Sequence, residues 1–168
     1  MRKILEQILK SKTQLVKSPK SYNSKVGVPL SLWQCDDRHE LGIFEAGISQ
    51  PGEMTVLEKL ISPSVGLITN IGTAHSENFK TNAKKAKEKF LLFKHCKQVV
   101  YCKDDSEVNE QANLLNKEIK LFSWSKLSEA DLRVKHVQIG EIFTTIEGVY
   151  KGVVTTVKIP FVDAASIE

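Results

Sequence analysis

The sequence predicts an α/β fold: a mostly parallel open sheet with flanking helices, followed by a C-terminal antiparallel β meander. Three observations carry this. Between residues 40 and 123, short apolar β-type runs alternate with helical stretches of about ten residues or more, as βαβ units require. Beyond Ser125 the pattern changes to two-residue alternation, as in Leu132-Arg133-Val134-Lys135-His136-Val137-Gln138-Ile139, which suits antiparallel strands. With 168 residues, 41% of them hydrophobic and 26% charged, the chain can bury one real core. The expectation is a single domain over 1–168, with a parallel part at 1–125 and an antiparallel part at 126–168.

Taken in order, residues 2–11 read as a helix, because Ile4/Ile8 and Leu5/Leu9 recur at helical spacing. No cap precedes it, as if the helix were cut from a longer chain. A short strand is expected at 13–16 and a loop over Ser18–Ser24, rich in serine and proline. A short helix follows at 26–33, with Pro29 tolerated in its first turn. The predicted alternation then runs strand 40–45, helix 53–61, strand 65–69, helix 80–94, strand 98–102, helix 105–116 and strand 119–123. In helix 80–94, Ala83, Ala86, Phe90 and Phe93 make an apolar stripe. The meander comprises 132–139, 142–146 and 153–159, with Glu147-Gly148 and Lys151-Gly152 offering turns.

Composition removes several classes of function. No apolar run approaches the about 18 residues of a membrane-spanning helix, so no membrane role is expected. The N-terminal segment lacks a signal-peptide pattern. Three cysteines without a C-x-x-C suit a reducing, cytoplasmic setting. The net charge of +4 is mild, but Lys80, Lys84, Lys85, Lys87, Lys89, Lys94 and Lys97 crowd one segment. Most belong to a solvated helix face. The alternative function is a polyanion- or nucleic-acid-binding module using the 80–97 lysines. Phe90 and Phe93 fall on the apolar stripe rather than among those lysines, so no nucleic acid partner is expected.

Two strand-to-loop junctions concentrate chemistry. Glu45 ends the apolar run Leu41–Phe44, as a structural salt bridge, a helix cap or a hard-cation ligand. Thr69-Asn70-Ile71-Gly72-Thr73-Ala74-His75-Ser76-Glu77 follows the apolar run 65–68 and delivers Asn, His and Glu where open α/β sheets place ligands. Glu77 suits either that site or the cap of the following helix. Lys89 lies near the edge of the apolar stripe, and a lysine's pKa shifts readily on burial. Ser18, Ser21, Asn23 and Ser24 offer hydroxyls and an amide, for turn chemistry or for a polar substrate. No G-x-x-x-x-G-K-S/T phosphate loop occurs.

Four segments carry a resemblance. Ser18–Leu30 is similar to S/T-x-x-x-x-N-N/S-x-I/V-G-V-P-L, and Glu45–Met54 to E-x-G-x-x-x-P-G-E-I/M. Thr69–Phe79 is similar to T-N-I-G-x-A-H-x-E-x-F, and Ala86–Phe93 to A-K-x-K-x-x-I/L-F. In this order they resemble the Mur ligase family, in its D-alanyl-D-alanine-adding branch. The resemblance implies the central ATPase-type domain of a three-domain bacterial cytoplasmic ligase of peptidoglycan synthesis. It implies ATP and Mg²⁺ as cofactors, with UDP-MurNAc-tripeptide and D-Ala-D-Ala as partners joined through an acyl phosphate. Residue by residue, it implies Glu45 and His75 as Mg²⁺ ligands, and Lys89 as the lysine carbamylated in the family, where it helps hold a metal. It further implies Asn70 lining the nucleotide pocket, and Ser21, Asn23 and Ser24 touching the UDP-sugar. Glu45 and His75 are expected on one rim.

There are departures. The family's first strand and phosphate loop are expected immediately before Met1, and the family's H-N-x-x-N is missing from Phe161–Glu168. The excerpt alone is therefore expected to be inactive, with a gap in its sheet that favours pairing with another copy.

Overall fold

Apolar runs that pair in parallel and a polar-apolar repeat that pairs antiparallel account for the observed architecture. The computed structural model describes residues 2–9, 11–19 and 21–163. It is a mixed α/β structure, parallel in four of its six strand pairings. The chain packs as two compact units, Met1–Pro63 with Thr73–His95, and Ser64–Gly72 with Cys96–Glu168.

The first unit contains helices α1 (Arg2–Leu9), α2 (Gly27–Leu32), α3 (Glu53–Ile61) and α4 (Asn82–Phe90). Strands β1 (Leu15–Lys17) and β2 (Leu41–Ile43) pair in parallel, with Leu15 opposite Leu41 and Lys17 opposite Ile43. The core is Val28, Ile48, Met54 and Leu57, against which Leu32, Ala46, Ile61, Phe79, Leu91 and Leu92 pack. The sequence-predicted helix 80–94 is shorter and changes type. Thr81 is extended and caps α4, its Oγ1 accepting from the Lys84 N–H at 3.2 Å. After Phe90 the chain tightens into a 3-10 turn, Leu91–Phe93, where Phe90 and Phe93 meet edge to face at 5.4 Å. The buried stripe is Ala86, Phe90 and Phe93. Ala83, expected on it, is exposed.

The second unit contains β3 (Val65–Ile68), β4 (Gln98–Cys102), helix α5 (Ser106–Asn113) and β5 (Lys120–Ser125). It continues with β6 (Leu132–Ile139), β7 (Thr144–Tyr150) and β8 (Val153–Ile159), the sheet running β3-β4-β5-β6-β7-β8. Asp105 caps α5 through Val108 N–H at 3.0 Å, and its other oxygen accepts the Ile71 N–H at 3.1 Å, fixing the exit of β3. Strands β5 and β6 are parallel although only residues 126–131 join them. They overlap merely at Trp124–Leu132 and Ser125–Arg133, so no long crossover is needed.

Of the two expected turns, one is correct and one is not. Lys151-Gly152 closes the β7–β8 hairpin, with Tyr150 opposite Val153 and both turn residues at positive φ (50° and 76°). Glu147-Gly148 lies inside β7 instead. Gly148 is opposite Val134, beside an irregularity in β6, and a Cβ there would sit 3.2 Å from the Arg133 carbonyl oxygen. The glycine marks a close backbone approach, not a reversal. The β6–β7 reversal is at 140–143, closed by Gly140 N–H on the Phe143 carbonyl.

A Cβ on Gly152 would meet nothing within 4 Å, so Gly152→Ala tests backbone conformation alone. Urea unfolding should show a loss of about 1 kcal/mol with an unchanged m-value.

Candidate functional site

The segment after β2 is shaped by its own polar groups. Glu45 is exposed, two residues beyond the end of the strand. The strand expected over 40–45 is shorter, because β2 stops at Ile43. Its backbone N–H donates to the Ser18 hydroxyl at 3.4 Å, and Ser18 is fully buried. Asn23 Nδ2 donates to Glu45 Oε1 at 3.3 Å, and the Asn23 carbonyl accepts Gly47 N–H at 2.7 Å. A Cβ on Gly47 would lie 3.0 Å from the Asn23 side chain, so glycine is what lets the loops approach. Farther along, Glu53 Oε2 accepts the N–H groups of Ser49 at 2.6 Å and Gln50 at 3.0 Å.

The second segment is the turn before α4. His75 adopts the left-handed conformation (φ 57°, ψ 24°) and leads into a 3-10 turn, Ser76–Asn78. For a residue with a Cβ this costs roughly 1–3 kcal/mol, so neighbouring contacts must hold it. The His75 side chain is half exposed, with Nδ1 3.7 Å from Glu77 Oε1. Glu77 faces His75 rather than capping α4, since Thr81 takes that position. Asn78 Nδ2 donates to the Ser49 carbonyl at 2.9 Å, tying this turn to the Glu45 segment.

Helix α4 supplies the remaining groups. Lys89 is half-buried, and Glu88 beside it accepts the N–H groups of Gly52 (2.7 Å) and Met54 (3.2 Å), at the start of α3. Sequence reading missed Lys85, which is 1% exposed. Its Nζ donates to the Ala74 carbonyl and, at 3.3 Å, to the Ser76 hydroxyl. The signal was available: Lys85 directly precedes the buried stripe residue Ala86 and lies four residues before Lys89. Its burial also removes one cation from the lysine-rich surface on which a polyanion reading depends.

The polar loop divides. Asn23 joins the Glu45 segment. Ser24 serves the chain itself, its hydroxyl accepting Gly27 N–H at 3.1 Å at the start of α2. Ser21 is exposed. Asn70 belongs to the second unit, exposed on the exit of β3, with its Nδ2 3.4 Å from Thr69 Oγ1. Residues 164–168, part of the region where the H-N-x-x-N segment is missing, lie outside the described residues.

Among the described residues, no group of three or more His, Cys, Asp or Glu side chains is disposed to hold a metal. An exposed single carboxylate, Glu45, fits a Mg²⁺ ion that takes most of its oxygens from phosphate and water.

Comparison with known proteins follows the same lines. Residues 1–165 match the family model of the Mur ligase middle domain. The UDP-N-acetylmuramoyl-tripeptide–D-alanyl-D-alanine ligase of Treponema pallidum is 33% identical over 93 residues, 55% of this chain and 20% of the relative. The ligase of the same name from Buchnera aphidicola subsp. Acyrthosiphon pisum is 26% identical over 143 residues, 83% of this chain and 31% of the relative. The crystal structure of MurF ligase from Thermotoga maritima in complex with ADP superposes with TM-score 0.81 at 28% identity, over 94% of this chain and 36% of that one. MurF from Acinetobacter baumannii superposes with TM-score 0.85 over 99% of this chain and 37% of that one; its 20% identity speaks for the fold alone. The chain thus spans about a third or less of the proteins it resembles.

The Glu53 carboxyl provides a test of the loop. Burial pushes its pKa up, but the N–H groups of Ser49 and Gln50 and the Lys25 ammonium, 3.4 Å away, outweigh burial and hold it below the usual carboxylate range. A pKa lower in the folded state contributes stability above the unfolded value, lost as pH falls through the folded one. Glu53→Gln should therefore lower the urea midpoint at neutral pH. The gap from the parent should narrow steadily on acidification.

Proposed function

The chain belongs to the Mur ligase middle-domain family, and from that membership we propose that it forms the central portion of a ligase joining D-alanyl-D-alanine to UDP-N-acetylmuramoyl-tripeptide, an ATP-dependent step of peptidoglycan precursor synthesis in the bacterial cytoplasm. The observation that carries the proposal is the joining of two segments within one unit. Asn78 binds the Ser49 carbonyl, and Ile48 and Phe79 pack in one core, so the Glu45 loop and the His75 turn are built together. No helix among the described residues is long and apolar enough to cross a membrane.

Each residue then has a task suited to its surroundings. Glu45, exposed and steadied by Asn23, offers an acceptor-only carboxylate to Mg²⁺. His75 presents an exposed imidazole from a fixed turn to the same ion set. Lys89, half-buried on α4, is the candidate for carbamylation, which would convert a cation into a further anionic ligand. The Asn70 amide serves the nucleotide, and Ser21, Asn23 and Ser24 line the approach of the UDP-sugar. Magnesium–ATP, when bound, supplies the phosphoryl group that activates a carboxylate, with the metal neutralising phosphate charge. A phosphate loop is not among these 168 residues, so the activity is assigned to the intact polypeptide that carries them.

In that polypeptide, Glu45→Ala and His75→Ala should each lower D-Ala-D-Ala-dependent phosphate release by orders of magnitude, with an unchanged melting temperature. Full activity in both variants would contradict the assignment.

A further inference from the structure

Of the lysines between 80 and 97, Lys85 is the one whose surroundings are unlike a surface. Among the described residues it is the largest side chain that is fully buried. A buried ammonium is a poor source of stability. A methionine would fill the same space without losing hydration, so the charge is retained for what it holds in place. What it holds is specific: Lys85 Nζ donates to the Ala74 carbonyl and to the Ser76 hydroxyl, the residues immediately before and after His75. Between those two contacts His75 is in the left-handed conformation. The next bond in the turn, Ser76 N–H to the Thr73 carbonyl at 3.2 Å, closes around the same residue.

We propose that Lys85 is a positioning residue for His75: its ammonium grips both flanks of the histidine and so fixes the direction in which the imidazole leaves the turn. An ammonium has three donors, enough for two such contacts at once. Met retains the bulk but none of the donors. Arg retains charge and donors on a larger, planar head, and restores the grip only in part. Lys85 touches neither substrate nor metal in this account and acts entirely through His75. The inference rests on the reading that His75 serves the ligase reaction.

The test uses Lys85→Met, Lys85→Arg and His75→Ala in the intact polypeptide. Three quantities are measured: melting temperature, amide hydrogen exchange over residues 73–79, and the magnesium concentration giving half-maximal ligase rate. Lys85→Met should melt at or above the parent temperature. Its exchange over 73–79 should be faster and its magnesium requirement raised about tenfold, with Lys85→Arg in between. If Lys85→Met leaves exchange and magnesium requirement unchanged, or lowers only the melting temperature, Lys85 is merely structural and the inference is overturned. If His75→Ala keeps full activity, the ligase role of His75 fails instead, and the exchange measurement still decides whether Lys85 holds the turn.

Discussion

Ile48 is part of the core with Val28, Met54 and Leu57, Phe79 packs against that same core, and the candidate site depends on it. Ile48 lies three residues after Glu45, and Phe79 four after His75. Each polar side chain is thus on a short tether whose other end is fixed among Val28, Met54 and Leu57. Burying an Ile or Phe side chain stabilises by roughly 1.5–3 kcal/mol. The exposed Asn78–Ser49 hydrogen bond contributes nearer 0.5–1.5 kcal/mol. The apolar core therefore brings the two loops together, and the hydrogen bonds choose how they meet.

Helix α4 then sets the detail. Residues 85, 88 and 89 fall on one face by helical spacing. Lys85 holds the turn around His75, and Glu88 holds the start of α3 just after the Glu45 loop. Lys89 follows one residue after Glu88 on the same half-buried side of the helix. The same logic explains why the loops contain little regular structure: their backbone donors are taken by Glu53, Glu88, Ser18 and Asn23, not by a ladder.

Much of this was legible in the sequence, for identifiable reasons. Strands 98–102 and 132–139 and helix 53–61 were read with their observed boundaries: the helix is bracketed by Pro51-Gly52 and Ser62-Pro63, strand 132–139 alternates up to Gly140, and strand 98–102 is a short apolar run between charged residues. Helix 80–94 was read too long, since the Thr81 cap and the 3-10 tightening after Phe90 depend on what packs beneath them. Glu147-Gly148 was read as a turn because glycine after a polar residue looks the same at a reversal and at a close strand approach. Glu45 and His75 stood out by residue type at strand exits. Ser24 was shared between turn and substrate roles, and its hydroxyl proved to be engaged at the start of α2. Lys85 was passed over because a lysine in a run of lysines reads as solvated, although its place beside the stripe residue Ala86 pointed to the buried face.

The central claim, that Glu45 and His75 serve one magnesium–nucleotide centre, is tested most directly by paramagnetic relaxation. The intact polypeptide, selectively labelled at these two residues, would be titrated with manganese in the presence of ATP. The account predicts that the Glu45 and His75 resonances broaden together, at the same manganese concentration and only when nucleotide is present. Broadening of one without the other, or of neither, would contradict it.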